Sequence, residues 1–534
     1  MNESSILQIR QTIARRNSPI ALACAVLLQL SALLQGQSAS APATAALEPI
    51  RYTFRVADPV KHLAEIEARV PASGRTTLDL MMPVWTPGYY VVEDYASRVQ
   101  GLTAKGLDGD ALAITRATPN RWQVETRGSS VVVLSYMLTA QGRSVTSNWI
   151  DADLGVINGG AAFITLAERA RRPHEVKIEM PATWKQSASG LEPAPGGDAN
   201  HYRAPDFDTL ADSPIVAGDL EVREFVVDGT THVVVDAGQR SQWNSSASAR
   251  ELERIVKEVR KFWGFLPFKR YVFLNVFRQG GGGLEHANST LLTSSPKSTA
   301  PTERWLTFVA HEYVHAFNVK RLRPIELGPF DYETPPRTTS LWLSEGGTTY
   351  LANLMLVRAG ITTPDQFLAS MSSAIADLQK SPGRLLQSLE QSSAEVWTNS
   401  NSGVGARAST VSYYGKGNVV SFLLDAHVRR ATNGRKSLDD VMRLAYARYG
   451  GERGFTADEL RATVEEVAGK SMKAWFARNI AAPGELDYGE MLGWFGLRFA
   501  GGAGASWNLE VRPRATSAQK RHFKALVVSQ EPPR

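Results

Sequence analysis

Cysteine is all but missing from these 534 residues, Cys24 being the only one. It lies in an apolar run near the N-terminus, so the rest of the chain has no disulfide and must rely on its cores, which a chain of this length can supply. Long apolar stretches are scarce as well: beyond the run Pro19 to Leu34, no segment is long enough to span a bilayer. No basic stripe interleaved with aromatics occurs, which argues against a nucleic-acid partner, and there is no internal repeat. What remains is ordinary globular material, 43% hydrophobic and 21% charged with a formal charge of +6, long enough for two to four domains.

At the N-terminus Arg10, Arg15 and Arg16 precede the apolar run and the small residues Ser38-Ala39-Ser40-Ala41 follow it, the order of a secretory signal peptide over residues 1–41. Cleavage is expected between Ala39 and Ala45, and an uncleaved anchor would need a longer apolar stretch. Loss of the three arginines with Glu3 leaves a charge of about +4. The expectation is an exported protein, periplasmic or secreted, with no stable membrane span after cleavage.

The fold class expected is α+β. Short alternating runs such as Val131 to Met137, with Asp108-Gly109 and Asp228-Gly229 as hairpin turns, make residues 47–240 a β domain resembling a sandwich. Within it Trp85-Thr86-Pro87-Gly88-Tyr89-Tyr90 reads first as a packed aromatic turn, and second as a loop reaching a neighbouring site. From Ala249 to Trp263 the apolar spacing turns helical, with Ser246 or Ser248 as the expected N-cap, and a mostly helical domain over 244–483 begins. The last segment, 484–534, is too short for a sizeable domain of its own.

Chemistry enters with His311-Glu312-Tyr313-Val314-His315. On a helix expected from Trp305 to Val319, residues four apart share a face, so both imidazoles reach one metal while Glu312 points at a water on it. A third ligand must come from another element, and Glu345, opening a second expected helix that runs to Val357, is the best candidate. Gly346 and Gly347 weaken that helix, which makes sense if another backbone approaches there. Gly280 to Gly283 followed by Glu285 at a strand end places an acid beside a cleft, where it suits a substrate's α-ammonium; a flexible turn with an exposed His286 is the plainer alternative. Tyr413 and Tyr414 at a helix start offer phenolic donors for an oxyanion, or simply buried aromatics.

These motifs, HEYVHAFNVKRLRP, LWLSEGGTTY, GGLEH, YYGKG and VWTPGYY, together resemble the glycyl aminopeptidase family of zinc metallopeptidases, gluzincins in which a glutamate is the third ligand. The resemblance spans the β domain to about Gly496. It implies one Zn2+ held by His311, His315 and Glu345, with Glu312 as general base. It places Glu285, with Gly283 beside it, where aminopeptidase N-like enzymes bind the substrate amine, and Tyr414 where they stabilise the tetrahedral intermediate, though Tyr413 stays open for that role. A thermolysin-like catalytic domain, peptide substrates with a free N-terminus and a preference for N-terminal Gly or Ala follow from the same likeness. Family members commonly finish with a PDZ domain, for which the roughly fifty residues after Gly484 are too few. Two alternatives remain: a zinc endopeptidase of the same fold, and a catalytically silent peptide-binding protein. Oligomeric state is not legible.

Overall fold

The computed structural model describes residues 47–168, 171–278, 280–295, 301–398, 409–501 and 506–529. The expected signal peptide and Cys24 lie outside them. No helix among the described residues is long and apolar enough to cross a membrane.

The N-terminal region is built on an eight-stranded sheet with two four-stranded sheets beside it. Its strands show the period-two pattern of half-buried sheet. Val131–Thr139 buries Val132, Leu134, Tyr136 and Leu138, and it pairs antiparallel with Leu63–Pro71, which buries Ala64, Ile66, Ala68 and Val70.

A separate five-stranded sheet carries the cleft. Its order is Glu221–Val227, Thr230–Gly238, Arg270–Phe277, Ser289–Ser294, Gly281–Glu285. The two inner pairings are parallel and the two outer ones antiparallel, so the glycine-rich strand Gly281–Glu285 is an edge. Asp228 and Gly229 form the expected turn, both with positive φ (51° and 75°), which a tight two-residue hairpin demands. The sequence assigns that hairpin to the N-terminal β domain, 47–240, yet Thr231 to Gly238 pair residue by residue with Arg270–Phe277. The sheet therefore runs across the boundary expected at 240–244. A hairpin's own pattern does not say which sheet it will join.

The strand Arg270–Phe277 is buried on both faces. Phe273 packs toward Leu252, Ile255 and Val259 of the helix Ser245–Trp263, while Val272, Leu274 and Val276 pack with Trp149, Leu154, Val156 and Val216 from the N-terminal region. Burial of each such side chain contributes about 1.5–3 kcal/mol, so this apolar seam opposes hinge motion between the two regions. The helix itself starts earlier than expected. Asn244, not Ser246 or Ser248, is its cap, accepting from the Ala247 N–H at 2.9 Å, and Ser248 is buried inside the helix.

The helical region that follows includes Glu303–His315, Thr348–Arg358, Pro364–Lys380, Tyr413–Ala431, Leu438–Tyr449 and Ala457–Ala468. The C-terminal segment adds helices Gly489–Phe495 and Ser517–Val527 with a small strand pair, and Phe495, Leu497 and Leu526 enter the same core. The Leu509 N–H donates to Ser372 Oγ at 2.8 Å, fixing the segment to the Pro364–Lys380 helix.

Candidate active site

The HExxH helix is capped by Thr302, which accepts from the Trp305 N–H at 3.2 Å. It ends at His315, four residues before the expected Val319. There the chain turns: Val319 has a φ of 143°, and the Lys320 N–H donates back to the His315 carbonyl at 3.0 Å. This early exit brings Asn318 back under the site, where its carbonyl lies 2.8 Å from His315 Nδ1. A carbonyl only accepts, so Nδ1 carries a proton and Nε2 is the ring atom turned to the site.

His311 is set the same way from the other helix. Thr349 donates its hydroxyl to the Glu345 carbonyl at 3.0 Å, leaving a lone pair for His311 Nδ1–H at 3.3 Å. Both imidazoles thus turn Nε2 to the same point. Asn318 Nδ2 also donates to the Leu343 carbonyl and to Thr348 Oγ1, at 3.0 and 2.9 Å, tying the helix exit to the element that bears Glu345.

That element is a π-helical turn, Trp342–Gly347, running into Thr348–Arg358, where the sequence suggests one continuous α-helix. Such turns recur at functional sites. The glycines after Glu345 meet a neighbour as expected. A Cβ on Gly346 would lie 2.5 Å from Gly417 Cα, and one on Gly417 would lie 2.5 Å from the Trp342 carbonyl oxygen. The π-turn and the Tyr413–Ala431 helix therefore cross in backbone contact, which brings Tyr413 and Tyr414 beside Glu345.

The three donor atoms converge. His311 Nε2 and His315 Nε2 are 2.9 Å apart, and Glu345 Oε2 lies 3.6 and 3.1 Å from them. Metal bonds of about 2.0–2.1 Å in a tetrahedral site need donors roughly 3.3 Å apart, so His311, His315 and Glu345 fit a single zinc-sized ion. The surrounding charge agrees. Burial opposes charge on His315, yet Glu345 and Glu285 outweigh it and raise its pKa to about 10; burial opposes charge on Glu345 too, yet both histidines hold it far below the usual carboxylate range. The site draws positive charge among its donors.

Glu312 is buried on the same helix, and burial with neighbouring Glu285 pushes it up to about 8. Gly283, on the edge strand, lies directly against it: a Cβ there would be 2.4 Å from Glu312 Oε1. Glu285 follows on the same strand, buried, with Oε1 accepting no hydrogen bond. His286 is not the exposed residue of the flexible-turn alternative. It is buried, with Nδ1 3.1 Å from Asp212 Oδ1. Tyr414 is half-buried, its ring 6.1 Å from that of His311, and Tyr413 is buried beside it. Burial and Glu345 keep both phenols protonated and able to donate.

The loop Trp85 to Tyr90 both packs and reaches, against the expectation that packing alone explains it. Trp85 Nε1 donates to the Asp331 carbonyl at 2.8 Å and its ring meets Trp397 edge-on; Tyr90 then places its hydroxyl 3.5 Å from Glu345 Oε1, and Gly88 abuts Glu285. Sequence reasoning misses Asn318, Thr349 and Tyr90 as site residues. All three stand inside the quoted motifs, but nothing in a motif says which of its letters touch the ligands.

A buried glutamate beside two oriented imidazoles and a third carboxylate donor, set between an edge strand and crossing helices, defines a metallopeptidase. Comparison bears this out. The peptidase M61 N-terminal domain matches residues 51–219 and the M61 glycyl aminopeptidase domain residues 304–420, together more than half of the sequence. The chain belongs to the M61 glycyl aminopeptidase family. Among solved structures it is similar to an aminopeptidase N family protein from Idiomarina loihiensis, with 26% identity and a TM-score of 0.79 over 84% of this chain and 78% of that one. An M1 zinc metallopeptidase variant from Deinococcus radiodurans, bound to a tripeptide substrate, shares 15% identity with a TM-score of 0.52 over 83% of this chain and 95% of that one. Yeast LTA4 hydrolase in complex with bestatin shares 16% with a TM-score of 0.51 over 83% of this chain and 68% of that one. At these two lower identities the likeness is one of fold. No curated protein matches the chain.

Proposed function

We propose that the protein is an exported zinc aminopeptidase that removes N-terminal residues, small ones such as Gly or Ala, from peptides. The convergence of three donor atoms beside buried Glu312 carries this reading; the family match supports zinc and the small first residue, and the N-terminal Arg-apolar-small pattern supports export. His311, His315 and Glu345 would hold the ion. When bound, zinc supplies Lewis acidity and makes water acidic enough to be a nucleophile at neutral pH.

Glu312 takes the proton of the attacking water and returns one to the leaving amine. Tyr414, the more exposed phenol of the pair, donates to the oxyanion that forms on the scissile carbonyl. Glu285 holds the α-ammonium and fixes the register at the first residue, and Gly283 lets the strand approach closely enough for Glu285 and Glu312 to share one cleft.

The test is hydrolysis of glycyl and alanyl p-nitroanilides beside their N-acetylated forms by zinc-loaded protein. Cleavage of the free-amine substrates alone supports the aminopeptidase; equal cleavage of the blocked ones makes the protein an endopeptidase and removes Glu285 from its role.

A further inference from the structure

Behind Glu285 lies a buried charge cluster that the mechanism above does not use. Lys320, on the chain leaving the HExxH helix, has its Nζ 2.8 Å from Asp212 Oδ1 and 3.9 Å from Glu285 Oε1. The three side chains are 6%, 12% and 5% exposed. Asp212 comes from the N-terminal region, where it caps the short helix Phe207–Ala211, and it is held in place from the strand side: Oδ2 accepts from the Ala287 N–H at 2.8 Å and Oδ1 faces His286 Nδ1 at 3.1 Å. The Pro87 carbonyl is 3.5 Å from Lys320 Nζ.

One ammonium therefore has two carboxylates within reach and makes its short contact with only one. Lys320 and a substrate's α-ammonium are the same kind of cation, so a lysine paired with Glu285 would compete with substrate for that carboxylate. Gly88 also closes the space around Glu285, since a Cβ there would lie 2.4 Å from Oε1. Where Lys320 rests thus decides whether Glu285 is available.

We propose that Asp212 is a positioning residue which holds Lys320 off Glu285, leaving that carboxylate free for the α-ammonium of the substrate. The N-terminal region in this way sets the exopeptidase selectivity of the site, to which it also brings Gly88 and Tyr90. Burial raises the pKa of Glu285, and Lys320 at 3.9 Å opposes that rise without taking the carboxylate's hydrogen-bonding capacity. This proposal rests on the amine-binding reading of Glu285.

The experiment measures KM and kcat for alanyl p-nitroanilide, with zinc content and Tm, in the full-length zinc-loaded enzyme and in Asp212→Asn, Asp212→Asn with Lys320→Met, Lys320→Arg and Glu285→Gln. Asparagine keeps an acceptor for the Ala287 N–H and removes the charge that attracts Lys320. The expected result is a KM raised about tenfold in Asp212→Asn with a smaller change in kcat, and most of that loss recovered when Lys320→Met is added. A merely structural defect would not be repaired by a second substitution. Lys320→Arg, whose wider fork spans both carboxylates with Asp212 intact, is expected to raise KM as well, and it decides the matter if Asp212→Asn does not fold. A KM within about twofold of wild type in Asp212→Asn, or in Lys320→Arg where only that variant folds, overturns the proposal, as does a double variant no better than Asp212→Asn. Glu285→Gln separates the levels. If its KM is raised while Asp212→Asn is unaffected, the proposal alone falls; if its KM is that of wild type, the amine-binding reading falls and takes the proposal with it.

Discussion

Glu312 and the two imidazoles are separable in their effects. Glu312→Gln removes a proton carrier without touching a donor atom, so kcat is expected to fall by about 10²–10⁴ while zinc content stays at that of wild type. Thr349→Val acts the other way. It deletes the acceptor that keeps the proton on His311 Nδ1, and zinc affinity measured by chelator competition is expected to drop roughly tenfold or more. Unchanged affinity would show that His311 is oriented by other means. At this scale the sequence is a good guide to which donor side chains converge, because four-residue spacing on a helix is a geometric statement. It is a poor guide to what orients them. Asn318 returns to His315 through a turn whose positive φ at Val319 is not signalled by that residue type, and Asp212 reaches the cleft from a segment outside every family motif.

Among the elements, the crossing of Gly346 with Gly417 is where sequence and structure agree for a stated reason: helix-weakening glycines mark a close backbone approach. Gly417→Ala would force a methyl against the Trp342 carbonyl, on the π-turn that carries Glu345. A loss of about 1–3 kcal/mol or more, read as a lower Tm, is expected together with weaker zinc binding. A stable variant with full zinc content would mean that the turn is not held by this contact. The π-turn itself is not legible, since π and α turns bury the same apolar residues, and the early end of the HExxH helix is hidden by apolar Phe317 and Val319, which continue the helical spacing while packing elsewhere in the core. The glycine-rich strand is legible as a strand-end feature but not as a sheet edge, because edge position depends on which strands pair.

In the whole molecule, two buried histidines away from the metal-binding donors contribute to the response to acid. Burial lowers His174 to about 3 and His232 to about 4, and His232 Nε2 accepts from the Tyr313 hydroxyl at 2.9 Å inside the HExxH helix. Both folded pKa values lie below the unfolded value near 6.5, so the unfolded chain takes up protons first. Stability is full above that pH and falls as the pH drops from about 6.5 towards 4 for His232 and 3 for His174, by up to about 1.4 kcal/mol per pH unit for each. A His232→Gln variant whose Tm falls between pH 7 and 5 as steeply as that of wild type would contradict this for His232. The two-part α+β layout is legible from periodicity, whereas the seam that joins the parts, Val272, Leu274 and Val276 against Trp149, Leu154 and Val156, is not, because a strand buried on both faces reads only as apolar. The account as a whole turns on one ion in one place. The most direct measurement is a zinc titration of chelator-stripped protein, following bound zinc and cleavage of alanyl p-nitroanilide and its N-acetylated form together. The result predicted is that free-amine cleavage rises to a plateau at one zinc per chain, with the blocked substrate untouched and Glu345→Gln showing neither tight binding nor activity. Tight zinc uptake unaffected by that substitution, or full activity in the stripped protein, would contradict it.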